Sequence, residues 1–397
     1  MSQAAPTVGA MRILHTSDWH IGRTFHGHST LDALRGVLET LTAQVRDHAV
    51  DVVIVAGDVF DSATPAAGCY TLLTDTLRAL SASGTQVVVT SGNHDSAARL
   101  GFQAGLLRDG IHVLTDPRAV GTPITIGDAH GPVHFYGIPF LEPALLRHLW
   151  PEARSQEAVL TRAMDLVRAD LAARRDQDER ARAVAVAHCF AAGVEPTPHL
   201  ERDIQQGGLD VVPLATFTGV DYMALGHIHG RQTLAEHVRY AGAPLHYSFG
   251  EGDKPRGSWL IELDAGGLGA VEWLALPVPR RLVTLTGPLA ELLSADAHAD
   301  AEDAWVCAEY TDDLPERDPL RRLQERFPFC AKVVHAPATT AARDARSYVE
   351  RVRAARSDRE LVEMFLAHVR DGEGATAREA ALLDDLLDER TRVEALA

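Results

Sequence analysis

Two histidines stand at alternate positions after a glycine in Gly226-His227-Ile228-His229, directly behind the apolar run Tyr222–Leu225. Imidazoles so spaced after a tight turn suit metal ligation. Four other stretches repeat the arrangement. Asp18-Trp19-His20, Gly57-Asp58, Gly92-Asn93-His94-Asp95 and the single His188 each follow a run rich in Val, Ile, Leu or Ala. Taken one at a time they say little. An aspartate after Gly57 or an asparagine after Gly92 reads equally well as a turn residue. A lone histidine ending an Ala/Val strand is ordinarily a satisfied core residue. Together they offer nitrogens from His20, His188, His227 and His229, carboxylates from Asp18 and Asp58, and the amide oxygen of Asn93. That is about the number of protein ligands two divalent ions sharing a site require.

Two such ions carry more positive charge than two carboxylates remove, so the site attracts a phosphodiester although the chain is acidic. Its metals lower the pKa of a bridging water, orient it for in-line attack and stabilise charge on the phosphoryl oxygens. His94 is offset by one residue from Asn93 and is the candidate general acid for the leaving oxygen. Nearby dications disfavour a charged imidazole, and a carboxylate partner would counter them. Asp61 is the first candidate for that partner and Asp95 the second. Asp61 also reads as a cap ahead of Thr64-Pro65.

Something must bring these distant stretches together. Residues 11–275 alternate strand-like and helix-like segments. The strand candidates are Arg12–Thr16, Asp51–Ala56, Gln86–Thr90, Ile111–Leu114, His134–Gly137, Ala183–Ala187 and Tyr222–Leu225. Several are nearly continuous Val/Ile/Leu runs, as expected of strands buried on both faces. Helical spacing covers Leu31–Asp47, Tyr70–Ser81 and Gln156–Asp178. The mix predicts a layered α/β domain. Ligands in such folds bind beyond the carboxyl ends of strands, where every one of these motifs lies.

Leu276-Pro277-Val278-Pro279 reads as an extended linker. Residues 280–340 then predict a small α/β accessory domain, and 347–397 predict helices alone. Ser357 with Glu360 and Thr376 with Glu379 match the capping box. Two short amphipathic helices bury too little to stand alone, so they must dock on their own chain or on a partner. Residues 1–10 read as a loose tail.

The chain has 397 residues, a net charge of −17, 46% hydrophobic and 23% charged residues. This is an ordinary globular composition. No run is long and apolar enough for a membrane span. The charge argues against gripping nucleic acid over a broad surface of this chain alone. Cys69, Cys189, Cys307 and Cys330 form no CxxC pair and read as buried thiols in a reducing cytosol. Arg23, Lys254 and Arg256 lie near the motifs and read as solvated surface. There is no GxxxxGK[ST] loop, so ATP is not bound in that way here.

Met11–Gly22 (MRILHTSDWHIG), Val55–Pro65 (VAGDVFDSATP), Thr90–Ser96 (TSGNHDS), Glu201–Val212 (ERDIQQGGLDVV) and Asp221–Gln232 (DYMALGHIHGRQ) resemble the calcineurin-like metallophosphoesterases. More narrowly, they are similar to the bacterial nuclease subunits that work with a long coiled-coil ABC-type ATPase. The resemblance implies a sandwich of two central sheets flanked by helices, a small capping domain and C-terminal helices that bind the ATPase. One ion would take Asp18, His20, Asp58 and His229. The other would take Asp58, Asn93, His188 and His227, with His94 as proton donor. It further implies Mn²⁺, DNA as substrate, a cytoplasmic, nucleoid-associated location, and a homodimer paired near Tyr70–Leu80 and Ala97–Leu107. A phosphodiesterase of a smaller nucleotide and a structural subunit with a vestigial site are the competing readings.

Overall fold

The computed structural model describes residues 9–102, 104–107, 109–193, 211–337, 357–369 and 374–394. Residues 1–8 of the expected loose tail, most of Glu201–Val212 and the segment 347–356 lie outside the described residues.

Strands Met11–Thr16, Val52–Ala56, Gln86–Thr90 and Ile111–Leu114 pair in parallel, side by side. A hairpin, Gly257–Asp264 with Gly267–Ala275, adds antiparallel to the free edge of Met11–Thr16 and completes a six-stranded sheet. In the second six-stranded sheet Gly131–Gly137, Arg182–His188 and Tyr222–Gly226 run parallel, with Ile124–Asp128 antiparallel at one edge. All seven expected strands are present.

The sheets stack face to face, and the period-two alternation of strands explains the layers. Val52, Ile54 and Ala56 point into the core between the sheets, with Ile13, Val88, Phe135, Val184, Val186 and Ala224. Val53 and Val55 point the other way, onto Leu34, Val37, Leu38 and Leu41 of helix Leu31–Asp47 and Leu72 and Leu80 of helix Ala67–Ser81. In the second sheet Ala183, Ala185 and Ala187 face helix Gln156–Arg175. Both faces are covered, so Val52–Ala56 and Arg182–His188 are buried throughout. That is why they read as unbroken apolar runs.

Beyond Gly257–Ala275, a three-stranded sheet is built from Leu282–Gly287, Trp305–Tyr310 and Cys330–His335. Helices Leu289–Ser294 and Pro319–Arg326 accompany it. The chain divides into two compact units, Met1–Glu309 with Asp318–Val334, and Tyr310–Arg317 with His335–Ala397. The segment 280–340, expected as one accessory domain, is shared between them. In the second unit helices Asp358–Val369 and Ala377–Glu394 begin as the sequence predicts. Ser357 Oγ accepts from the Glu360 N–H, and Thr376 exchanges bonds with Glu379 in a full capping box. All four cysteines are buried and unpaired.

Candidate metal centre

The loops that follow Met11–Thr16 and Val52–Ala56 are zipped together. The N–H of Asp18 donates to Gly57 O at 3.1 Å, that of His20 to Asp58 O at 2.9 Å and that of Ile21 to Val59 O at 2.9 Å. Asp18, His20, Asp58 and His227 have φ of 53°, 45°, 49° and 104°. A left-handed backbone at a non-glycine residue costs on the order of 1 kcal/mol or more. Concentrated here, it turns side chains from separate strand ends toward one point.

All seven expected ligands converge. His20 Nε2 and His229 Nε2 face each other at 3.1 Å. Asp58 Oδ2 lies 3.6 Å from His20 Nε2 and 3.4 Å from His188 Nε2. Asn93 Oδ1 is 3.0 Å from both His188 Nε2 and His227 Nδ1. Asp18 closes the ring: its ligand atoms group with those of His20 and His229, and with those of Asp58 and His188, within 4.8 Å. Asp58 touches both halves of the cluster, as a bridging ligand must. Asp18, His20, Asp58 and His188 are essentially solvent-free.

The far side of each ring is tied down. His188 Nδ1 donates to Ala56 O at 3.0 Å, which leaves Nε2 facing the cluster. His229 Nδ1 lies 3.4 Å from Glu251 Oε1, and His20 Nδ1 lies 3.3 Å from Asp61 Oδ1 without a squarely aimed hydrogen bond. Orienting groups of this kind fix the tautomer of a metal-ligating histidine and raise its basicity.

Asp61 is not the carboxylate partner of His94. Its carboxylate is engaged by His20 and by Arg23 at 3.1 Å. The hydrogen bond to His94 comes from its backbone carbonyl, which accepts from Nδ1 at 3.0 Å. Asp95, the second candidate, is turned away: its carboxylate accepts from the N–H groups of Val59, Phe60 and Gly92 and clips two motif loops together. Chain direction explains the correction. A residue three after Asp58 lies on the same loop, but that loop presents its carbonyl to His94 and its side chain to His20. His94 stays half-buried, its backbone N–H donating to Asp58 Oδ1 at 2.9 Å and its ring 4.8 Å from that of His20.

Arg256 is not solvated surface. It is buried, with Nη2 on Glu251 Oε2 at 2.6 Å and Nη1 on the carbonyl of His229. Arg23 is half-buried, paired with Asp61 and stacked over Tyr247 at 4.9 Å. Sequence reasoning missed Glu251 and Tyr247, whose hydroxyl donates to Trp19 O at 2.7 Å. Neither stands in a motif, and only the proximity created by the hairpin at Gly257–Ala275 reveals them.

Electrostatics and packing both suit cations here. Burial alone would raise the Asp58 carboxyl, but His188 and His20 hold it well below the usual carboxylate range. Burial alone would lower His188, and the charge of Asp58 instead holds its proton on. His227 is pushed down to about 3 by burial and by the neighbouring His188. Two buried carboxylates amid converging imidazoles suit bound cations, which would displace the His188 proton and offset the cost of desolvation. Glycines leave the room. A Cβ on Gly92 would lie 2.1 Å from Asp58 Oδ1, and one on Gly57 would lie 2.3 Å from His188 Nδ1. The donor set is nitrogen and oxygen only, which suits divalent ions such as Mn²⁺ and Zn²⁺.

Residues 11–231 match the calcineurin-like phosphoesterase family model, and residues 278–370 match the model described as the type 5 capsule protein repressor C-terminal domain. The chain is 33% identical to the D subunit of the SbcCD nuclease of Escherichia coli K12 over 337 residues, 79% of this chain and 81% of that one. The same figures hold for the Escherichia coli O157:H7 protein of that name. A dimetal phosphatase from Danio rerio is 12% identical, with a TM-score of 0.40 over 68% of this chain and 99% of that one.

Proposed function

Because this chain belongs to the calcineurin-like phosphoesterases, in the branch of the SbcD nuclease subunits, we propose that it is a metal-dependent nuclease subunit hydrolysing DNA phosphodiesters at the His/Asp cluster. The observation that carries the reading is the meeting of seven N/O ligands from five strand ends around one carboxylate, Asp58. Asp18, His20, Asp58 and His229 would hold one ion. Asp58, Asn93, His188 and His227 would hold the other, with Mn²⁺ the expected metal. When bound, the ions would supply an activated water and neutralise phosphoryl oxygens. His94, with Nδ1 bonded to Asp61 O, keeps Nε2 available to hand a proton to the departing sugar oxygen. Asp61 and Glu251 position His20 and His229.

The full assignment is double-strand exonuclease and hairpin endonuclease activity in DNA repair and recombination, with an SbcC-type coiled-coil ATPase as partner. Leu361, Phe365, Leu382 and Leu386 of the last two helices remain exposed, which supports residues 347–397 as the ATPase-binding segment. Exposed Tyr70, Phe102 and Leu106 support a homodimer face near helix Ala67–Ser81. The location assigned is cytoplasmic and nucleoid-associated, on the likeness to the Escherichia coli nuclease subunits. No helix among the described residues is long and apolar enough to cross a membrane.

The test is cleavage of linear and hairpin DNA by the purified chain in Mn²⁺, with and without its ATPase partner. Hydrolysis of a small diester with no DNA cleavage even in the complex would favour the nucleotide phosphodiesterase instead. Failure to hydrolyse either substrate would favour a vestigial site.

A further inference from the structure

Directly after the first metal motif, Thr24–Phe25 and His28–Ser29 form a tight hairpin whose two turn residues, His26 and Gly27, are both left-handed. Phe25 is buried, its ring 5.3 Å from Phe249 and 5.1 Å from Trp305. His28 stays exposed with its ring 4.9 Å from that of Trp305. Across from it Phe329 is half-buried, edge-on to Trp305 at 5.5 Å, with the Arg280 guanidinium over its face. These groups border a cavity of about 340 Å³ lined by His28, Pro244, Arg280, Leu282, Trp305 and Phe329, among others. That is the lower end of the size range of ligand pockets. An aromatic cluster serving only the core would have its rings buried. Here His28 is exposed, and Trp305 and Phe329 are only half-buried.

Cations gather around the cavity although the chain is acidic, with Asp253 and Asp303 also close by. The sequence has only two lysines, Lys254 and Lys332. Neither lines the cavity, but each lies near a residue that lines or flanks it. The carbonyl of Lys254 accepts from His246, which lines it, and Lys332 is close enough to the hairpin to oppose a proton on His26. Arg280 donates to a backbone carbonyl, that of Asp303, at 3.1 Å. Among the described residues no carboxylate forms a salt bridge with any of these three cations. Such cations, set around stacking faces on a chain of net charge −17, are complementary to an anionic polymer that has flat rings. The cavity also borders the metal cluster, because Arg256 lines it and bonds the carbonyl of His229.

We propose that this cavity seats an unpaired base of single-stranded DNA, stacked on Trp305 and His28, while Arg280, Lys254 and Lys332 engage the flanking phosphates. The inference rests on the nuclease reading and names where the strand leaving or entering the metal cluster is held. Stacking tolerates any base, since each presents a π-face, so the site would bind strands without regard to sequence.

The test uses the full chain in EDTA, where cleavage is suppressed, and a single strand of roughly twelve nucleotides with one 2-aminopurine. Binding is expected to quench the probe. Trp305→Ala is expected to weaken binding about ten-fold and abolish most of the quench, and Trp305→Phe to restore affinity. Lys332 is exposed, so Lys332→Glu tests the site without removing a core side chain. It should lower the slope of log K against log salt by about 0.7 or more. Unchanged affinity and quench in both variants would overturn the proposal, as would tighter binding of duplex that neither variant weakens. Mn²⁺-dependent cleavage by the unaltered chain separates the two claims. Cleavage without quench removes this site alone, and quench without cleavage removes the nuclease reading alone.

Discussion

Gly226 is the last residue of its strand, paired with His188 in the same sheet and pressed against Ala56 of the other. A Cβ built on it would lie 1.8 Å from Ala56 O and 2.9 Å from His188 Nδ1. Real Cβ contacts essentially never fall below 3.0 Å, so Gly226→Ala forces a separation of at least 1.2 Å (3.0 − 1.8). The atom struck is a backbone carbonyl in a fully buried strand, which has no flexible end to swing away. It is also the acceptor that orients His188. Overpacking alone should cost about 1–3 kcal/mol. Losing the orienting bond should weaken metal binding by roughly 10–100-fold. A misplacement of about 1 Å should lower turnover about 100-fold. Gly230 supplies the control, because a Cβ there meets nothing within 4 Å. Both variants should be compared by urea denaturation, Mn²⁺ titration calorimetry and hydrolysis of bis(p-nitrophenyl) phosphate. If Gly226→Ala matched Gly230→Ala in all three, the sheet contact would not be what holds His188, and the account of the site would be wrong.

Four further outcomes follow from the same geometry. His94→Ala should keep its metals, by elemental analysis, while turnover falls about 10²–10⁴-fold; retained turnover would remove His94 as the acid. Asp61→Asn should weaken metal binding about 10–100-fold through His20, measured by Mn²⁺ titration calorimetry; unchanged affinity would show that Asp61 does not position that ring. Arg256→Met leaves Glu251 buried without its cation and should cost about 3–5 kcal/mol, measurable by chemical denaturation; a loss under about 1 kcal/mol would show that His229 alone satisfies Glu251. His15 is fully buried between Tyr222 Oη and Leu225 O, and desolvation, aided by Arg239, pushes it down to about 3. The unfolded chain therefore binds this proton more readily than the folded one. Its contribution to stability is complete above about pH 6.5 and is lost as pH falls toward 3, on the order of a few kcal/mol. His15→Gln should flatten that acid slope, and an unchanged slope would assign it to other groups.

Much of the metal centre is legible in the amino-acid order because its determinants are local. Val52–Ala56 and Arg182–His188 are buried on both faces, so their composition announces them as strands. The turn directly behind each strand then lies at the sheet's carboxyl edge, whatever the rest of the fold does. Asp18, His20, Asp58, Asn93, His188, His227 and His229 can therefore be gathered from residue type and spacing. Other features depend on which backbone atom or side chain a loop presents to a distant neighbour. Sequence position suggests that Asp61 offers His94 its carboxylate. It offers its carbonyl instead, because its carboxylate faces His20 and Arg23 across the loop. Arg256 reads as solvated surface and is buried with Glu251 behind His229, since the hairpin Gly257–Ala275 pairs with Met11–Thr16, Met11 opposite Leu263 and His15 opposite Trp259. The cavity at Trp305 likewise draws on residues 25 to 329. Residue type and strand periodicity determine what chemistry this chain can perform. Long-range packing alone decides which group orients each histidine of the cluster, which atom of Asp61 meets His94 and which rings and cations border the cavity at Trp305.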